Sequence, residues 1–504
     1  MSAECLLRGM NLVKIYGERV VFDIRSISLR EGQRVGLIGE NGAGKSTLMS
    51  VLAGAEEPDE GQVIRAGRIA VIRQDGSALL PDRNESVRAA KLAGTFETER
   101  GERSEKPSGG ERTRMAIARA LASEPDIIFA DEPTTNLDLD GIEKLERELL
   151  AFCGALVLVS HDRGLLDALC GEIWELEDGA LRVFPGNLSA WMAQKARERD
   201  FARFQYDQYR EEKKRMKESA QKMNERAAGM RRTPKGMSAG EARLCGPKGA
   251  AINAQAGVRA KARALRHRAE MLEEKERPRD LPEIRMALGC ESPVTSHAAV
   301  RADGLDISFG GRAVLRGASF ELTAGKRTVM LGRNGSGKTT ILEAIAARAE
   351  GVKTAPSARV GSFTQNAESL DPRKTALENA RSVSSLPESE VRTILARLGI
   401  KKNDVHKKTA VLSGGERAKV AFARLFASTL NVLLLDEPTN HVDIYTSEEL
   451  LNLLLLWQGT LLIVTHDRSF AQKLAHRLLF VEDGEVRTFE GTWDEYAGHR
   501  RGLD

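Results

Sequence analysis

Two glycine-rich segments of the chain have the residue types and the spacing of a phosphate-binding loop. GENGAGKST occupies residues 39–47, and GRNGSGKTT occupies residues 332–340. In such a loop the glycines let backbone amides surround a phosphate, and the helix that follows presents an N-terminus that favours negative charge. Each segment follows a short apolar run and precedes an apolar helical pattern. The sequence therefore predicts two nucleoside triphosphate sites.

Within each loop, the lysine and the residue after it have separate predicted roles. Lys45 and Lys338 neutralise phosphate charge, and Ser46 and Thr339 supply a hydroxyl ligand to Mg²⁺. The other loop residues predicted to contact the nucleotide are Gly39, Asn41, Gly42, Ala43, Gly44, Thr47, Gly332, Asn334, Gly335, Ser336, Gly337 and Thr340.

An Asp-Glu pair follows an apolar strand in each half of the chain, after IIFA and after VLLL. Asp131 and Asp436 are predicted to hold Mg²⁺ through water. Glu132 and Glu437 are predicted general bases, and a placed carboxylate of this kind contributes roughly 10² to 10⁴-fold to a rate. Positioning and charge neutralisation must supply the rest. Either pair alone also fits a solvated turn, and their duplication favours the catalytic interpretation.

Two histidines and two glutamines complete the candidate chemistry. His161 and His466 each lie 29 residues beyond one of the glutamates, directly after an apolar strand. An imidazole there can hydrogen-bond the γ-phosphate or the attacking water. A single histidine at a strand end is more often structural, and the repeated spacing favours a catalytic role. Gln74 and Gln365 also follow strands and are predicted to contact Mg²⁺ or its water.

The positions of these motifs show that the chain contains one domain twice. SGGE begins at positions 108 and 413, DEPT at 131 and 436, and HDR at 161 and 466, so each pair is 305 residues apart. The strands between them are apolar without an alternating polar face, which is typical of a parallel sheet covered on both sides. Each copy is therefore predicted to be an α/β domain. We place the copies at residues 1–190 and 291–504.

The composition is that of a globular protein with two large domains and an insert. The chain has 504 residues, of which 41% are hydrophobic and 29% charged. The longest apolar stretch, 450–464, is shorter than the roughly 20 residues of a membrane span, and no leader segment opens the sequence. We therefore expect a cytoplasmic protein without a membrane partner. The five cysteines are never spaced as CxxC, which argues against a disulfide framework or a zinc site.

The segment between the copies, residues 191–290, is predicted to be a helical linker. No aromatic residue occurs from position 210 to 308. Two narrow apolar seams step by four and three residues, as in packed helix pairs. They consist of Met216, Ala220, Met223, Ala227 and Met230, and of Val258, Ala262, Leu265, Ala269 and Leu272. We predict an antiparallel helical hairpin whose first helix covers about residues 189–228, with an irregular tip rich in glycine and proline.

This linker carries most of the positive charge. Residues 226–268 contain eleven basic residues and one acidic residue, a net charge of +10, whereas the whole chain has +4. Such a concentration predicts a polyanionic partner. Without aromatics for stacking, contacts to phosphates and shape are expected, which favours structured RNA. The basic residues are Arg226, Arg231, Arg232, Lys235, Arg243, Lys248, Arg259, Lys261, Arg263, Arg266 and Arg268.

The phosphate loop, the glutamine, SGGE, the Asp-Glu strand end and the histidine occur twice in this order, and together they resemble the ATP-binding-cassette ATPases. The resemblance implies ATP hydrolysis, ATP and Mg²⁺ as cofactors, and a monomer whose two cassettes pair head to tail. Lys45 would then share its ATP with Ser413, and Lys338 with Ser108. The signature residues are Ser108, Gly109, Gly110, Glu111, Ser413, Gly414, Gly415 and Glu416.

Two further features are interpreted through the same resemblance. Tyr16 and Phe309 match the aromatic residue that stacks on adenine, although a strand-end aromatic is also common for structural reasons. The first signature departs from the family pattern, because Pro107 stands where leucine is usual, whereas Leu412 precedes the second. This difference predicts that the two ATP sites are unequal.

Tandem cassettes joined by a charged helical linker resemble the ABC-F proteins, as do the segments PGNLSAW, DEPTTNLD and GMSAGEARL. The resemblance implies a ribosome partner, with the linker acting as a P-site-tRNA interaction motif between ribosomal RNA and P-site tRNA near the peptidyl-transferase centre. Only 33 residues separate Gln74 from Ser108, so the arm insertion of housekeeping translation factors is expected to be absent. The chain thus resembles the antibiotic-resistance branch, which displaces ribosome-targeting drugs by ribosome protection.

Three other functions fit parts of the sequence. An ABC-F translation factor without a resistance role would share every motif above. The fused ATPase subunit of a membrane importer also has two cassettes in about this length, but it has no use for a basic hairpin. A DNA-repair or chromosome ATPase is expected to have far longer coiled coils. The basic linker therefore separates the ABC-F functions from the importer subunit.

Overall fold

The computed structural model describes residues 4–80, 109–135, 137–229, 248–272, 275, 293–309, 312–363, 370–400, 403–440 and 442–501. They form two compact units. The larger one contains both copies of the repeated domain and comprises Met1–Trp191 and Leu281–Asp504, and the smaller one comprises Met192–Asp280. Several predicted residues lie outside the described ones: Pro107, Ser108, Met230, Arg231, Arg232, Lys235, Arg243 and Gln365.

The first copy consists of ten described strands and four described helices. The strands are β1 (Cys5–Tyr16), β2 (Arg19–Arg30), β3 (Arg34–Ile38), β4 (Glu60–Arg65), β5 (Ile69–Ile72), β6 (Ala78–Leu79), β7 (Ile127–Asp131), β8 (Ala155–Val159), β9 (Glu172–Glu177) and β10 (Ala180–Pro185). The helices are α1 (Lys45–Ala53), α2 (Gly109–Ala122), α3 (Leu139–Ala151) and α4 (Arg163–Leu169).

A mixed sheet of the first copy has the order β10-β9-β3-β8-β7-β5-β6. Its central strands β9, β3, β8, β7 and β5 are parallel, and the edge strands β10 and β6 are antiparallel to their neighbours. A separate antiparallel sheet has the order β2-β1-β4. The predicted parallel sheet is thus confirmed, with an antiparallel sheet in addition.

Two helices form the smaller unit, α5 (Leu188–Gly229), whose first residues belong to the larger unit, and α6 (Lys248–Met271). The predicted seams are buried or half-buried in the described part of the hairpin, with Ala220, Ala227, Ala262 and Ala269 inaccessible to solvent. Gln255 Nε2 donates a hydrogen bond of 2.7 Å to the carbonyl of Ala227, which joins the two helices. The predicted helical hairpin is therefore confirmed.

The second copy repeats the first. Its strands are β11 (Ala298–Phe309), β12 (Arg312–Thr323), β13 (Arg327–Gly332), β14 (Val352–Thr354), β15 (Val360–Phe363), β16 (Val432–Asp436), β17 (Thr460–Val464), β18 (Arg477–Glu482) and β19 (Glu485–Glu490). Its helices are α7 (Lys338–Ala347), α8 (Ala376–Arg381), α9 (Glu388–Arg397), α10 (Gly414–Phe426), α11 (Ile444–Leu456), α12 (Arg468–Leu474) and α13 (Trp493–Arg501). The two sheets have the orders β15-β16-β17-β13-β18-β19 and β12-β11-β14.

The central strands explain why each copy folds this way. Every residue of β8, β16 and β17 is buried. Strands covered on both faces need apolar side chains at nearly every position, which is the pattern that the sequence shows. Because β3 and β13 lie among these parallel strands, their carboxyl ends place both phosphate loops at the same edge of their sheets.

None of the helices in the part of the chain covered by the structure is both long enough and apolar enough to cross a membrane.

Candidate active site

The two phosphate loops have the same backbone form, which only glycine permits at the start of each helix. Gly44 has a φ of 102° and Gly337 a φ of 104°, both in the left-handed region. A Cβ atom on Gly44 would lie 2.4 Å from Cγ1 of Val21, and one on Gly337 would lie 2.8 Å from Cγ1 of Val314. Helices α1 and α7 therefore begin directly at the lysines, with their N-termini facing the loops.

The side chain of each lysine reaches across its own phosphate loop. Lys45 Nζ donates hydrogen bonds of 2.9 and 3.0 Å to the carbonyls of Gly39 and Glu40. Lys338 Nζ does the same with Gly332 and Arg333, at 2.7 and 2.9 Å. Burial lowers the pKa of both lysines, and nearby carboxylates of both copies oppose that shift. A partly desolvated ammonium group interacts strongly with phosphate oxygens.

The predicted Mg²⁺ ligands of the second copy are already paired. Thr339 Oγ1 donates a hydrogen bond of 2.7 Å to Asp436 Oδ2. Burial raises the pKa of Asp436, while this bond and Lys338 act to lower it. In the first copy, Ser46, Asp131 and Gln74 line a common cavity. Hydroxyl, carboxylate and amide oxygens suit Mg²⁺, which takes only one or two protein ligands beside phosphate oxygens and water.

The predicted general bases have strained backbones. Glu132 has a φ of 49° and Glu437 a φ of 45°, which side-chain-bearing residues rarely adopt. Their amides donate to the carbonyls of Val159 at 2.8 Å and Val464 at 3.0 Å, at the ends of β8 and β17. Strain of this kind persists only where the surrounding structure imposes it, and it holds each carboxylate next to the end of the adjacent strand.

Each glutamate lies against the histidine predicted to work with it. Nε2 of His161 is 3.2 Å from Oε1 of Glu132, and Nε2 of His466 is 3.1 Å from Oε1 of Glu437. Neither approach is aligned as a hydrogen bond, because Oε1 of Glu132 and Nε2 of His466 have no hydrogen-bond partner among the described residues. Burial raises the pKa of Glu437 to about 8 and lowers the pKa of His466 to about 3. Burial also raises the pKa of Glu132, which His161 opposes.

A cavity of about 810 Å³ lies between the two copies. Residues of the first copy in its wall include Tyr16, Arg19, Asn41, Gly42, Gly44, Lys45, Ser46, Thr47, Gln74, Asp131, Glu132 and His161. Residues of the second copy in its wall are Asn334, Gly335, Glu437, Thr439, Asn440, His466 and Asp467. Its volume is within the range of small-molecule sites. The larger unit therefore brings chemistry-bearing residues of both copies together.

The segment after each Asp-Glu pair reaches the other copy. Thr439 and Asn440 lie in the cavity wall with the first phosphate loop, and the charge of Asp443 acts on Lys45. Reciprocally, the backbone amide of Asn334 in the second loop donates to the carboxylate of Asp138. The motifs alone predicted no role for these segments, although their position directly after the Asp-Glu pair in both copies was a usable signal.

The signature residues that the structure describes do not line the cavity around Lys45. Ser413 is the N-cap of α10, and its hydroxyl and amide form a capping box with Glu416. Residues 413–416 do not line the cavity that contains Lys45. In the first copy, Gly109, Gly110 and Glu111 form the first turn of α2. The pairing of Ser413 with the Lys45 site and of Ser108 with the Lys338 site therefore stays a prediction.

The two aromatic candidates both end a strand. Tyr16 ends β1, lines the cavity with its side chain 51% exposed, and donates a hydrogen bond of 2.7 Å to Glu56 Oε1. Phe309 ends β11, and its side chain is outside the described residues. Stacking of an adenine on either ring stays a prediction.

Charged side chains next to the histidines join the copies. Arg163 of α4 pairs with Glu448 of α11, and Arg468 of α12 pairs with Glu146 of α3. These reciprocal ion pairs come from the HDR motifs, of which only the histidines were predicted to be functional. The same spacing of 305 residues was the available signal. The ion pairs hold the histidine-bearing segment of each copy against a helix of the other.

The chain is similar to known proteins over most of its length. A family model described as ABC transporter matches residues 22–135 and 315–440, and a second model with that description matches residues 174–239. The probable ATP-binding protein YbiT of Escherichia coli O157:H7 is 30% identical across 97% of this chain and 99% of its own length. The ribosome protection protein VmlR of Bacillus subtilis (strain 168) is 29% identical across 93% of this chain and 85% of its own length.

Two further similarities cover nearly the whole chain. The energy-dependent translational throttle protein EttA of Mycobacterium tuberculosis (strain ATCC 25618 / H37Rv) is 28% identical across 100% of this chain and 97% of its own length. The crystal structure of an archaeal ribosome recycling factor in complex with a ribosomal stalk protein matches with a TM-score of 0.63 at 20% identity, over 98% of this chain and 92% of that one. The structural likeness establishes the tandem cassette fold.

Proposed function

The chain belongs to the ABC-F family of ATP-binding-cassette proteins, and on that premise we propose that it is a ribosome-protection ATPase. In this proposal, ATP closes the two cassettes, and the closed form places the basic linker on ribosomal RNA and P-site tRNA near the peptidyl-transferase centre. Bound antibiotics are displaced there, and hydrolysis releases the protein. The domains at residues 1–190, 191–290 and 291–504 act as cassette, linker and cassette, in a cytoplasmic monomer.

The observation that carries the proposal is the charge on the described part of the linker. Arg226, Arg259, Lys261, Arg263, Arg266 and Arg268 are all exposed. The apolar seams of the same two helices are buried or half-buried against each other. The hairpin is thus packed on one side and cationic on its solvent side, as a phosphate-binding surface requires. The relatives named a ribosome protection protein and a translational throttle protein support the ribosome as the source of the phosphates.

ATP hydrolysis is the activity of the cassettes, and the geometry supports roles for the loop lysines, the Mg²⁺ ligands, the glutamates and the histidines. The β- and γ-phosphates would lie on the loop amides and on Lys45 or Lys338. Mg²⁺ would be held by Thr339 and Asp436 and would neutralise charge developing on the phosphates. Glu437 would take the proton of the attacking water, and His466 would orient that water or the γ-phosphate. Glu132 and His161 have the same roles in the first copy.

A translation factor of the ABC-F family without a resistance role is the second candidate, because EttA covers the chain as completely as VmlR does. An importer subunit is less well supported, since it leaves the cationic hairpin unexplained. A susceptibility assay separates the first two candidates. Expression in a drug-sensitive bacterium should raise inhibitory concentrations of peptidyl-transferase drugs if the chain protects ribosomes, and should leave them unchanged if it is a translation factor.

Ribosome binding itself is tested by trapping the ATP-bound state. The double variant Glu132→Gln, Glu437→Gln should bind ATP without hydrolysing it and should sediment with ribosomes in ATP. Reversing the charge of Arg259, Arg263 and Arg266 in this background should release it. Reversing Arg25, Lys326 and Lys353, which are exposed on the cassettes, is the matched control. A trapped variant that stays free of ribosomes, or a linker reversal that sediments like its control, contradicts the proposal.

A further inference from the structure

The first turn of α5 is attached to both copies of the repeated domain. The amide and hydroxyl of Ser189 donate to the two carboxylate oxygens of Asp167, at 2.7 and 2.5 Å. Asp167 belongs to α4 of the first copy. Two residues further on, the ring of Trp191 lies 5.7 Å from the ring of Tyr445, with the planes inclined by 67°. Tyr445 belongs to α11 of the second copy, so the helix that continues into the linker starts at their junction.

Tyr445 is itself fixed to the first copy. Its hydroxyl donates a hydrogen bond of 2.7 Å to Oε1 of Glu175, a residue of β9 that is 1% exposed. Burial and the charge of Glu175 raise the pKa of Tyr445, so the phenol remains a donor at physiological pH. Trp191 is also buried, at 4% exposure. An edge-to-face aromatic pair with a charge-assisted hydrogen bond has a defined geometry, so a shift of α11 is passed to Trp191.

The two helices that hold the first turn of α5, α4 and α11, each follow a segment that lines the cavity with Lys45. Helix α11 begins after Asp443, and the segment before it places Thr439 and Asn440 in the cavity wall with Lys45. Helix α4 begins two residues after His161, which lies in the same wall. The base of the linker helix is therefore connected, through one helix of each copy, to two segments that line the cavity with Lys45.

Comparison of the two copies shows that this aromatic contact is made at one of the two equivalent positions. At the offset of 305 residues, Trp191 corresponds to Tyr496 and Tyr445 corresponds to Asp140. Tyr496 packs within its own copy, 4.6 Å from Phe480 and 5.7 Å from Phe489. An aspartate in place of Tyr445 cannot provide an aromatic partner. Among the residues that the structure covers, the crossing aromatic pair thus occurs only where the linker begins.

We propose that Trp191 and Tyr445 are positioning residues that make the linker helix follow nucleotide binding at the Lys45 site rather than at the Lys338 site. ATP that draws Thr439 and Asn440 toward the first phosphate loop moves α11, and Tyr445 carries this movement to Trp191 and the first turn of α5. The inference rests on the ATP-driven closure of the proposed function, but it needs no ribosome. By linkage, a linker held in its active position also tightens ATP binding at the Lys45 site.

Hydrogen exchange of the full chain tests this coupling. The Glu132→Gln, Glu437→Gln protein is compared with and without ATP and Mg²⁺, and exchange is followed in peptides covering residues 192–215. We expect ATP to change exchange there at least fivefold, Lys45→Ala to abolish the change, and Lys338→Ala to preserve it. Trp191→Ala should abolish it, and Tyr445→Phe, which keeps the ring but loses the bond to Glu175, should weaken it.

The controls separate coupling from misfolding and from failure of the proposed function. Tyr496→Phe removes a phenol hydroxyl at the position equivalent to Trp191 and should leave the ATP effect intact. Unfolding transitions verify that each variant is folded. Bound ATP, measured on every variant, verifies that the Trp191, Tyr445 and Tyr496 variants are loaded and that each lysine variant has lost one site. An ATP effect that survives both Trp191→Ala and Tyr445→Phe, or that Lys338→Ala removes as completely as Lys45→Ala, overturns the inference. Because no ribosome is present, a chain that fails to bind ribosomes can still pass this test.

Discussion

Nε2 of His466 lies 3.1 Å from Oε1 of Glu437, and His161 and Glu132 repeat this approach at 3.2 Å in the first copy. With the pKa of Glu437 raised to about 8 and that of His466 lowered to about 3 by burial, neither side chain of this pair is predominantly charged at pH 7. Proton transfer by a side chain is most efficient when its pKa lies near the working pH, and Glu437 would act as the base in its ionised form.

Replacing Glu437 with glutamine is predicted to lower steady-state ATP turnover at the second site by roughly 10² to 10⁴-fold. The amide keeps the shape of the side chain but cannot accept the proton, so ATP binding should persist. Phosphate release and equilibrium ATP binding are the two measurements, made in a Glu132→Gln background to isolate the site. Glu482→Gln, an exposed position of the same copy, is the control. Undiminished turnover in the Glu437 variant would exclude this residue as the base.

Replacing Thr339 with valine is predicted to raise the Mg²⁺ concentration needed for half-maximal ATPase activity by roughly tenfold or more. Valine has a similar volume but lacks the hydroxyl that donates to Asp436 at 2.7 Å. Thr339→Ser retains the hydroxyl and should behave like the parent protein. A Mg²⁺ titration at saturating ATP makes the comparison. If valine and serine gave the same Mg²⁺ requirement, the assignment of Thr339 as a metal ligand would be wrong.

Removing Arg163 is predicted to destabilise the larger unit by about 3 kcal/mol, because it leaves the partner charge of Glu448 without compensation in a mostly buried place. A double-mutant cycle with Arg163→Met and Glu448→Gln, measured by denaturant unfolding, isolates the pair. Arg381 and Glu388 form an exposed pair for comparison, with an expected coupling of about 0–1 kcal/mol. Equal couplings for the buried and exposed pairs would contradict a role of Arg163 in joining the copies.

Asp467→Asn is predicted to stabilise the protein at pH 8. Burial and Asp162 raise the pKa of Asp467 to about 6 from an ordinary 3.8, although Arg163 opposes the shift. Because the pKa of Asp467 is higher in the folded state, this residue contributes stability that is fully present below about pH 4. The contribution is lost as the pH rises through 6, where the buried carboxyl group becomes charged. Asparagine is neutral and can still accept the capping bonds from Ser469 and Phe470. We expect a gain of roughly 1 to 3 kcal/mol at pH 8 that disappears near pH 4.

Asp443→Asn is a control whose expected change in stability at pH 8 has the opposite sign. Burial acts to raise the pKa of Asp443, but Lys419 and the amide of Thr446 hold it below its ordinary value. The ionised carboxylate therefore contributes stability above its unfolded pKa, and this contribution is lost as the pH falls through the folded value. Denaturant unfolding at several pH values should show Asp443→Asn losing stability at pH 8 while Asp467→Asn gains it. Loss of stability at pH 8 in both variants would refute the assignment for Asp467.

The sequence by itself determined the parts of the fold that depend on local physics. Glycines at 44 and 337 adopt backbone angles that other residues resist, so the two phosphate loops were visible from their residue types. Apolar runs without polar alternation predicted the buried parallel strands, and the apolar run before the first phosphate loop forms β3. The step of four and three residues predicted the linker hairpin, whose seam alanines are buried. In each case the determining sequence pattern lies within a few residues or within one element.

The tertiary structure alone decided which residues meet across the two copies. Nothing in the types of Trp191 and Tyr445, which are 254 positions apart, marks them as partners. The same holds for Arg163 and Glu448, an arginine and a glutamate among many. Such contacts depend on how two folded surfaces fit together, which combines shape, burial and charge over many side chains at once. Local propensity and spacing predict each surface, and only the packed structure determines the pairs that form between them.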